Sequence, residues 1–280
     1  MAIIPNSPLV TPQWLVDHLS DPDLVIVDCR FSLADADQGY REYTAGHIPA
    51  AHYLHLNQDL SSPVGRHGGR HPLPDLGLFQ QRLAQIGVSS HPPSPVVAYD
   101  DSQGAFAARL WWLLRYLGHG AVAVLDGGWG GWQSGGYPVT DQRPLAAQPG
   151  DFCPQPQPDW LVDIEAVRRC QHQPSCLLID SRAPERYRGE VEPIDPVAGH
   201  IPGAVNYCWQ EVLQPNGLMR PPGELANHWQ GLDGCEAVVY CGSGVTACVN
   251  LLSQAVAGKP LARLYLGGWS DWCSYGRSSK

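Results

Sequence analysis

Val238-Val239-Tyr240-Cys241-Gly242-Ser243-Gly244-Val245-Thr246-Ala247 runs from an apolar, β-branched segment into a cysteine, a short glycine-containing loop and a helix-forming stretch. A strand that empties through a tight loop into a helix aims successive backbone N–H groups, and the positive end of the helix dipole, at the residue closing the strand. Cysteines so placed ionise at roughly 3.5–7.5, against about 8.5 for a free thiol. Gly242 and Gly244 are expected to supply the backbone angles such a cradle needs, with Val245 and Thr246 completing it. Cys241 is therefore the candidate nucleophile. The same N–H groups could hold the outer sulfur of a persulfide.

Working outward, the scaffold of this passage occurs twice. Val96-Val97-Ala98-Tyr99-Asp100, leading to Leu125-Asp126-Gly127-Gly128-Trp129-Gly130-Gly131-Trp132, matches Val238-Val239-Tyr240-Cys241, leading to Leu266-Gly267-Gly268-Trp269-Ser270-Asp271-Trp272. Upstream, Val25-Ile26-Val27-Asp28-Cys29-Arg30 and Ala45-Gly46-His47-Ile48-Pro49-Ala50-Ala51 recur as Leu177-Leu178-Ile179-Asp180-Ser181-Arg182 and Ala198-Gly199-His200-Ile201-Pro202-Gly203-Ala204. One supersecondary unit is thus written twice.

Within each copy, short β-branched runs alternate with amphipathic stretches, the pattern of an α/β fold with a mainly parallel sheet flanked by helices. Strands are predicted at 25–28, 96–99 and 121–125, and again at 177–180, 238–240 and 262–266. Helices are predicted at 11–19, 76–85, 105–117, 164–170 and 247–256. Residues 140–159, rich in Pro and Gln, read as a linker between a first domain, 1–139, and a second, 160–280. Asp100 takes the position of Cys241, so the first copy keeps the scaffold without the nucleophile. The Asp-x-Arg and Gly-His-Ile-Pro blocks occur in both copies and read as structural. Trp129, Trp132, Trp269 and Trp272 read as core anchors.

At 280 residues the chain is comfortable for two domains. A net charge of −9, with basic residues scattered singly, gives no footprint for nucleic acid. No run approaches the roughly eighteen apolar residues of a membrane span, and the amino terminus lacks a signal-peptide pattern, so a cytoplasmic protein is expected. The nine cysteines form an odd set without a C-x-x-C pair, which argues against a disulfide framework and against a zinc site. All but Cys241 are expected to be structural, with Cys248 close enough in sequence to approach the active sulfur. No nucleotide or metal motif is present, and no cofactor is expected. A phosphatase loop would need Cys-x5-Arg, and the sixth residue after Cys241 is Ala247.

The loop Cys241-Gly242-Ser243-Gly244-Val245-Thr246, with the repeated blocks, resembles the two-domain rhodanese superfamily over about residues 9–272, and is most similar to its 3-mercaptopyruvate sulfurtransferase branch. Animal thiosulfate sulfurtransferases place Arg-Lys where Gly242-Ser243 stand. The resemblance implies tandem rhodanese-like domains with a site at the cleft between them. It also implies a Cys241 persulfide that carries sulfur from a small-molecule donor to a thiol or cyanide acceptor. The sequence does not identify the physiological acceptor, for which thioredoxin and a low-molecular-weight thiol are the candidates. It assigns Ser243 to a proton relay with His71 and Asp59, His67 being the second choice for the histidine. Arg188 is assigned to the donor carboxylate, which a planar guanidinium suits. A second arginine usual in that branch is missing from Val191-Glu192-Pro193-Ile194-Asp195-Pro196, and Arg66 and Arg70 are the candidates to replace its charge. The uncharged Gly242-Ser243 favours 3-mercaptopyruvate over thiosulfate, a dianion. Thiosulfate:cyanide transfer and a catalytically silent binding module are the alternatives. The internal duplication makes a monomer the expectation.

Overall fold

The computed structural model describes residues 7–144, 148–232 and 234–276. They fall into two compact units. One comprises the chain up to Ser62, Pro74–Pro156 and Asn216–Leu218, and the other Pro63–Leu73, Gln157–Pro215 and the chain from Met219 onward.

In the first unit the order is β1 (Leu9–Val10), α1 (Pro12–Asp17), β2 (Val25–Asp28), α2 (Gln38–Ala45), β3 (His52–Tyr53), α3 (Leu76–Gln85), β4 (Val96–Tyr99), α4 (Ala105–Tyr116), β5 (Val122–Leu125) and α5 (Gly128–Ser134). The strands form one parallel sheet in the order β1-β5-β4-β2-β3. All four residues of β2, β4 and β5 are buried, which is why these strands read as unbroken apolar runs. Thr11 caps α1 by accepting from the Trp14 amide at 3.1 Å, and Asp75 caps α3 through the Leu78 amide at 2.9 Å. α4 is buried on nearly every side, and Arg109 within it donates to the Leu60 carbonyl at 3.3 Å.

The second unit repeats the plan with α6 (Ile164–Cys170), β6 (Cys176–Asp180), α7 (Pro184–Tyr187), β7 (Val205–Asn206), α8 (Pro222–His228), β8 (Glu236–Tyr240), α9 (Ala247–Val256), β9 (Arg263–Leu264) and α10 (Gly268–Tyr275). Its parallel sheet runs β7-β6-β8-β9, and a bridge from Leu161 to Leu264 stands where β1 pairs β5 in the first unit. Asp163 caps α6 through the Ala166 amide at 2.8 Å. Both sheets are parallel and flanked by helices, as the alternating pattern predicts.

The repeated Asp-x-Arg blocks are structural twins. Arg30 grips Asp28 at 2.6 Å and donates to the Gly46 carbonyl at 2.7 Å, with its guanidinium over Trp129. Arg182 grips Asp180 at 2.7 Å, donates to the Gly199 carbonyl at 2.6 Å and lies over Trp269. His47 and His200 each meet a backbone carbonyl at 2.7 Å, that of Tyr43 and of Tyr187, and stack on those rings. Trp129, Trp132 and Trp269 are buried and Trp272 packs against the second core.

Residues 140–159 carry no strand or helix among those described, apart from a 3-10 turn at Pro158–Trp160, but they are not loose. Thr140 bridges His47, Gly150 donates to the Ala84 carbonyl at 2.8 Å, and Phe152 is buried. The cysteines differ from expectation. Cys170, ending α6, is disulfide-bonded to Cys176, opening β6, with Cα atoms 5.2 Å apart. The turn between helix and strand folds the two together, a local geometry that counting cysteines does not capture. Cys153 and Cys235 are exposed rather than buried. Burial pushes the thiols of Cys29 and Cys208 upward and that of Cys273 to about 11, consistent with inert core positions.

Asp100 lies buried at the end of β4. Its carboxylate accepts from the amides of Ser102 (2.8 Å), Gly104 (2.9 Å), Phe106 (2.8 Å) and Ala107 (2.8 Å). Burial raises its pKa against the opposing pull of these four donors. Replacing Asp100 with Ala leaves those donors unpaired in a dry site, each costing about 1–3 kcal/mol. Urea titration of the Asp100→Ala variant is expected to show a loss of at least about 3 kcal/mol.

Candidate active site

β8 pairs with β6 so that Tyr240 lies beside Asp180, as Tyr99 lies beside Asp28 in the first unit. The next residue is Cys241, 2% exposed. Its carbonyl accepts from the Trp269 amide at 2.8 Å, the same bond that Asp100 makes with Trp129. Counting on from the paired tyrosines, Ser243 corresponds to Ser102 and Gly244 to Gln103. Gln103 (φ 59°) and Gly244 (φ 70°) share a left-handed bend. The bend that follows Asp100 therefore recurs after Cys241, although α9 begins one position later in its loop than α4 does. At Gly244 no other residue fits, because a Cβ there would lie 2.2 Å from the Leu266 carbonyl oxygen.

Gly242 is set apart from Gly244 by its surroundings. It is not left-handed; a Cβ there would lie 2.9 Å from a guanidinium nitrogen of Arg70 and 3.8 Å from both terminal nitrogens of Arg186. Its place in the loop is thus room for two cations, rather than the backbone freedom expected from sequence. Val245 is buried and Thr246 precedes the first turn of α9. Cys248, fully buried in that helix, is 3.4 Å from the Gly244 carbonyl.

The segment Pro63–Leu73 belongs to the same unit as this loop, although it is distant in sequence. Gly68 donates to Asp271 at 2.7 Å and Arg70 donates from its backbone to the Ser270 hydroxyl at 3.2 Å. Gly69 packs so closely that a Cβ would lie 2.3 Å from the Gly267 carbonyl. Stitched in this way to the start of α10, the segment brings His71, 4% exposed, to within 2.7 Å of the Ser243 hydroxyl through its Nδ1. His67 instead is exposed, meets Ser274 at 2.7 Å and stacks on Tyr275. Arg66 is exposed.

Arg70 pairs with Asp195, which also meets Arg186 at 3.3 Å. Glu192 binds Arg186 at 2.7 Å and Arg182 at 3.2 Å and accepts from the amide of Asp195 at 3.0 Å. Burial raises the pKa of Glu192, but the Asp195 amide and Arg186 outweigh it and hold the carboxyl below its ordinary range; burial raises that of Asp195. Arg188, assigned from sequence to the substrate, is exposed and paired with Glu190 at 2.7 Å. Arg186 is the residue that sequence reasoning missed. Successive helical residues turn by about 100°, so Arg186 and Arg188 point to opposite sides, and Tyr187, packed on the core, stands at equal angle from both and does not choose between them. Asp59 lies in the first unit, where its carboxylate accepts from the His55 amide at 2.7 Å and pairs with Arg82 at 3.2 Å. Among the described residues no cluster of metal ligands is found.

Cys241 at the end of a parallel strand, the Ser243–His71 pair and the guanidiniums of Arg70 and Arg186 beside Gly242 lie together in one unit. The family model described as Rhodanese-like domain matches twice, over residues 11–135 and 163–275. The chain belongs to the rhodanese family. A Pseudomonas aeruginosa protein named "Probable 3-mercaptopyruvate sulfurtransferase" is 47% identical, covering 95% of each chain. A Mycobacterium tuberculosis protein named "Putative thiosulfate sulfurtransferase SseB" is 37% identical, covering 95% of this chain and 94% of that one. The crystal structure of the 3-mercaptopyruvate sulfurtransferase SseA from Escherichia coli superposes with a TM-score of 0.82 at 31% identity, covering 94% of this chain and 99% of its own.

The two loop glycines separate by experiment. Gly244→Ala meets backbone and a forbidden φ and is expected to lose at least about 2 kcal/mol in chemical denaturation. Gly242→Ala meets only the mobile ends of arginines and is expected to stay within about 0.5 kcal/mol of the parent.

Proposed function

We propose that the protein is a sulfurtransferase that takes sulfur from 3-mercaptopyruvate onto Cys241 and passes it to a thiol or cyanide. The observation that carries this reading is the Ser243–His71 contact at 2.7 Å in the loop that begins at Cys241, whose bend matches the one after Asp100. Relatives named for this activity support it.

The Cys241 thiolate attacks the donor sulfur. The carbon–sulfur bond breaks and its electron pair leaves as the enolate of pyruvate. The proton of the donor thiol passes through Ser243 and His71 to that enolate, giving pyruvate and the Cys241 persulfide. The loop amides receive the outer sulfur, as their counterparts receive the carboxylate of Asp100. An acceptor thiolate then attacks that sulfur, the sulfur–sulfur bond breaks, and Cys241 is regenerated; cyanide leaves as thiocyanate. Arg186 and Arg70 hold the donor carboxylate. Asp59 enters as orienter of His71 on the strength of the family resemblance; a cytoplasmic location and thioredoxin as the candidate acceptor carry over from the sequence reading. No helix is long and apolar enough to cross a membrane among the described residues.

Thiosulfate is the second reading, favoured by the M. tuberculosis relative's name and by two cations beside an otherwise uncharged loop. The leaving group separates the two donors. Sulfite departs from thiosulfate without needing a proton, whereas the enolate needs one. His71→Ala is expected to lower kcat with 3-mercaptopyruvate by about 100-fold and to affect thiosulfate much less. Cys241→Ser is expected to abolish both, by at least about 1000-fold, and to release no thiocyanate on cyanolysis. Steady-state assays with both donors on one sample check this; a Cys241→Ser protein that still turned over donor would overturn the reading.

A further inference from the structure

We infer that Asp195 is a specificity-determining residue: by bridging Arg70 and Arg186 beside Gly242, it cancels charge that would otherwise favour a dianionic donor over a monoanionic keto acid. The inference deepens the proposed sulfurtransferase reading and rests on it.

The two guanidiniums closest to the loop backbone are those of Arg70 and Arg186. Left alone they would present two positive charges next to the nucleophile. The Asp195 side chain, 2% exposed, contacts both, and the Glu192 side chain, 4% exposed, shares a terminal nitrogen of Arg186 with it while also meeting Arg182. Arg182 is already matched by Asp180. Arg70, Arg186 and Arg182 are thus balanced by Asp195, Glu192 and Asp180. The guanidiniums keep donors to offer a planar carboxylate, but the surrounding net charge is close to zero.

Thiosulfate carries two negative charges and 3-mercaptopyruvate one carboxylate. A unit change in site charge therefore acts twice as strongly on the first as on the second. Asp195 lies in Val191-Glu192-Pro193-Ile194-Asp195-Pro196, so the segment that lacks the family's second arginine instead supplies Asp195, which pairs with Arg70 and Arg186, and Glu192, which pairs with Arg186.

Asp195 acts through the arginines, and its test is a ratio rather than a rate. In Asp195→Asn, kcat/KM for thiosulfate relative to that for 3-mercaptopyruvate is expected to rise by about tenfold. Arg70→Gln, at a side chain 26% exposed, is expected to move the ratio the opposite way, and it keeps the proposal open to refutation if the first variant does not fold. A parallel loss on both donors in Asp195→Asn would show a structural role only and overturn the assignment. An unchanged ratio in Arg70→Gln would overturn it equally. Failure of the parent protein to turn over either donor would instead sink the sulfurtransferase reading, so the two failures are distinguishable.

Discussion

Backbone N–H groups that converge where a parallel strand turns into a helix must be paired with something. In the first unit the partner is built in: the carboxylate of Asp100 takes four of them, and the result is a closed, fully satisfied loop. In the second unit Cys241 holds the position of Asp100, with Gly244 taking the left-handed bend that Gln103 takes in the first. A neutral thiol is a weak acceptor. The position that holds a carboxylate in one copy thus holds a thiol in the other.

Placing His71 against Ser243 is a long-range problem solved by close packing. His71 is far from Ser243 in sequence, and the segment bearing it has no regular structure. It is held by backbone approach: Gly69 against the Gly267 carbonyl, Gly68 on the Asp271 carboxylate, Arg70 on the Ser270 hydroxyl. Asp271 also accepts from the Tyr265 hydroxyl at 2.6 Å, which fixes the carboxylate that anchors Gly68. Burial and the adjacent carboxylate push the Tyr265 phenol far up, so it remains a donor.

Much of the fold is legible in the sequence because its signals are local. The β-branched runs of β2 and β4 and the helices α3, α6 and α9 have the bounds their periodicity and capping residues indicate. Two-residue strands such as β3 and β7 carry no period to read, and short helices such as α7 are set by tertiary contacts. For the site, Cys241, Ser243 and His71 were accessible from loop chemistry and family resemblance. Arg186 was not, because Arg-Tyr-Arg offers two equal cations and only the direction of α7 decides which faces the loop. The disulfide between Cys170 and Cys176 escaped for a related reason: its geometry belongs to one helix–strand turn.

The acidic residues beside the site follow from the same need for pairing. Two guanidiniums brought against the backbone at Gly242 repel each other and lose hydration. Carboxylates that are themselves held by backbone, as Glu192 is by the amides of Ile194 and Asp195, can keep both arginines ordered at fixed separation. A flexible lysine pair would offer charge without that geometry. Order here comes with partial neutralisation, and the same bonds that aim the guanidiniums set how strongly the site attracts a second negative charge. Orientation and charge selectivity are thus one structural decision, made in the segment from Glu192 to Asp195.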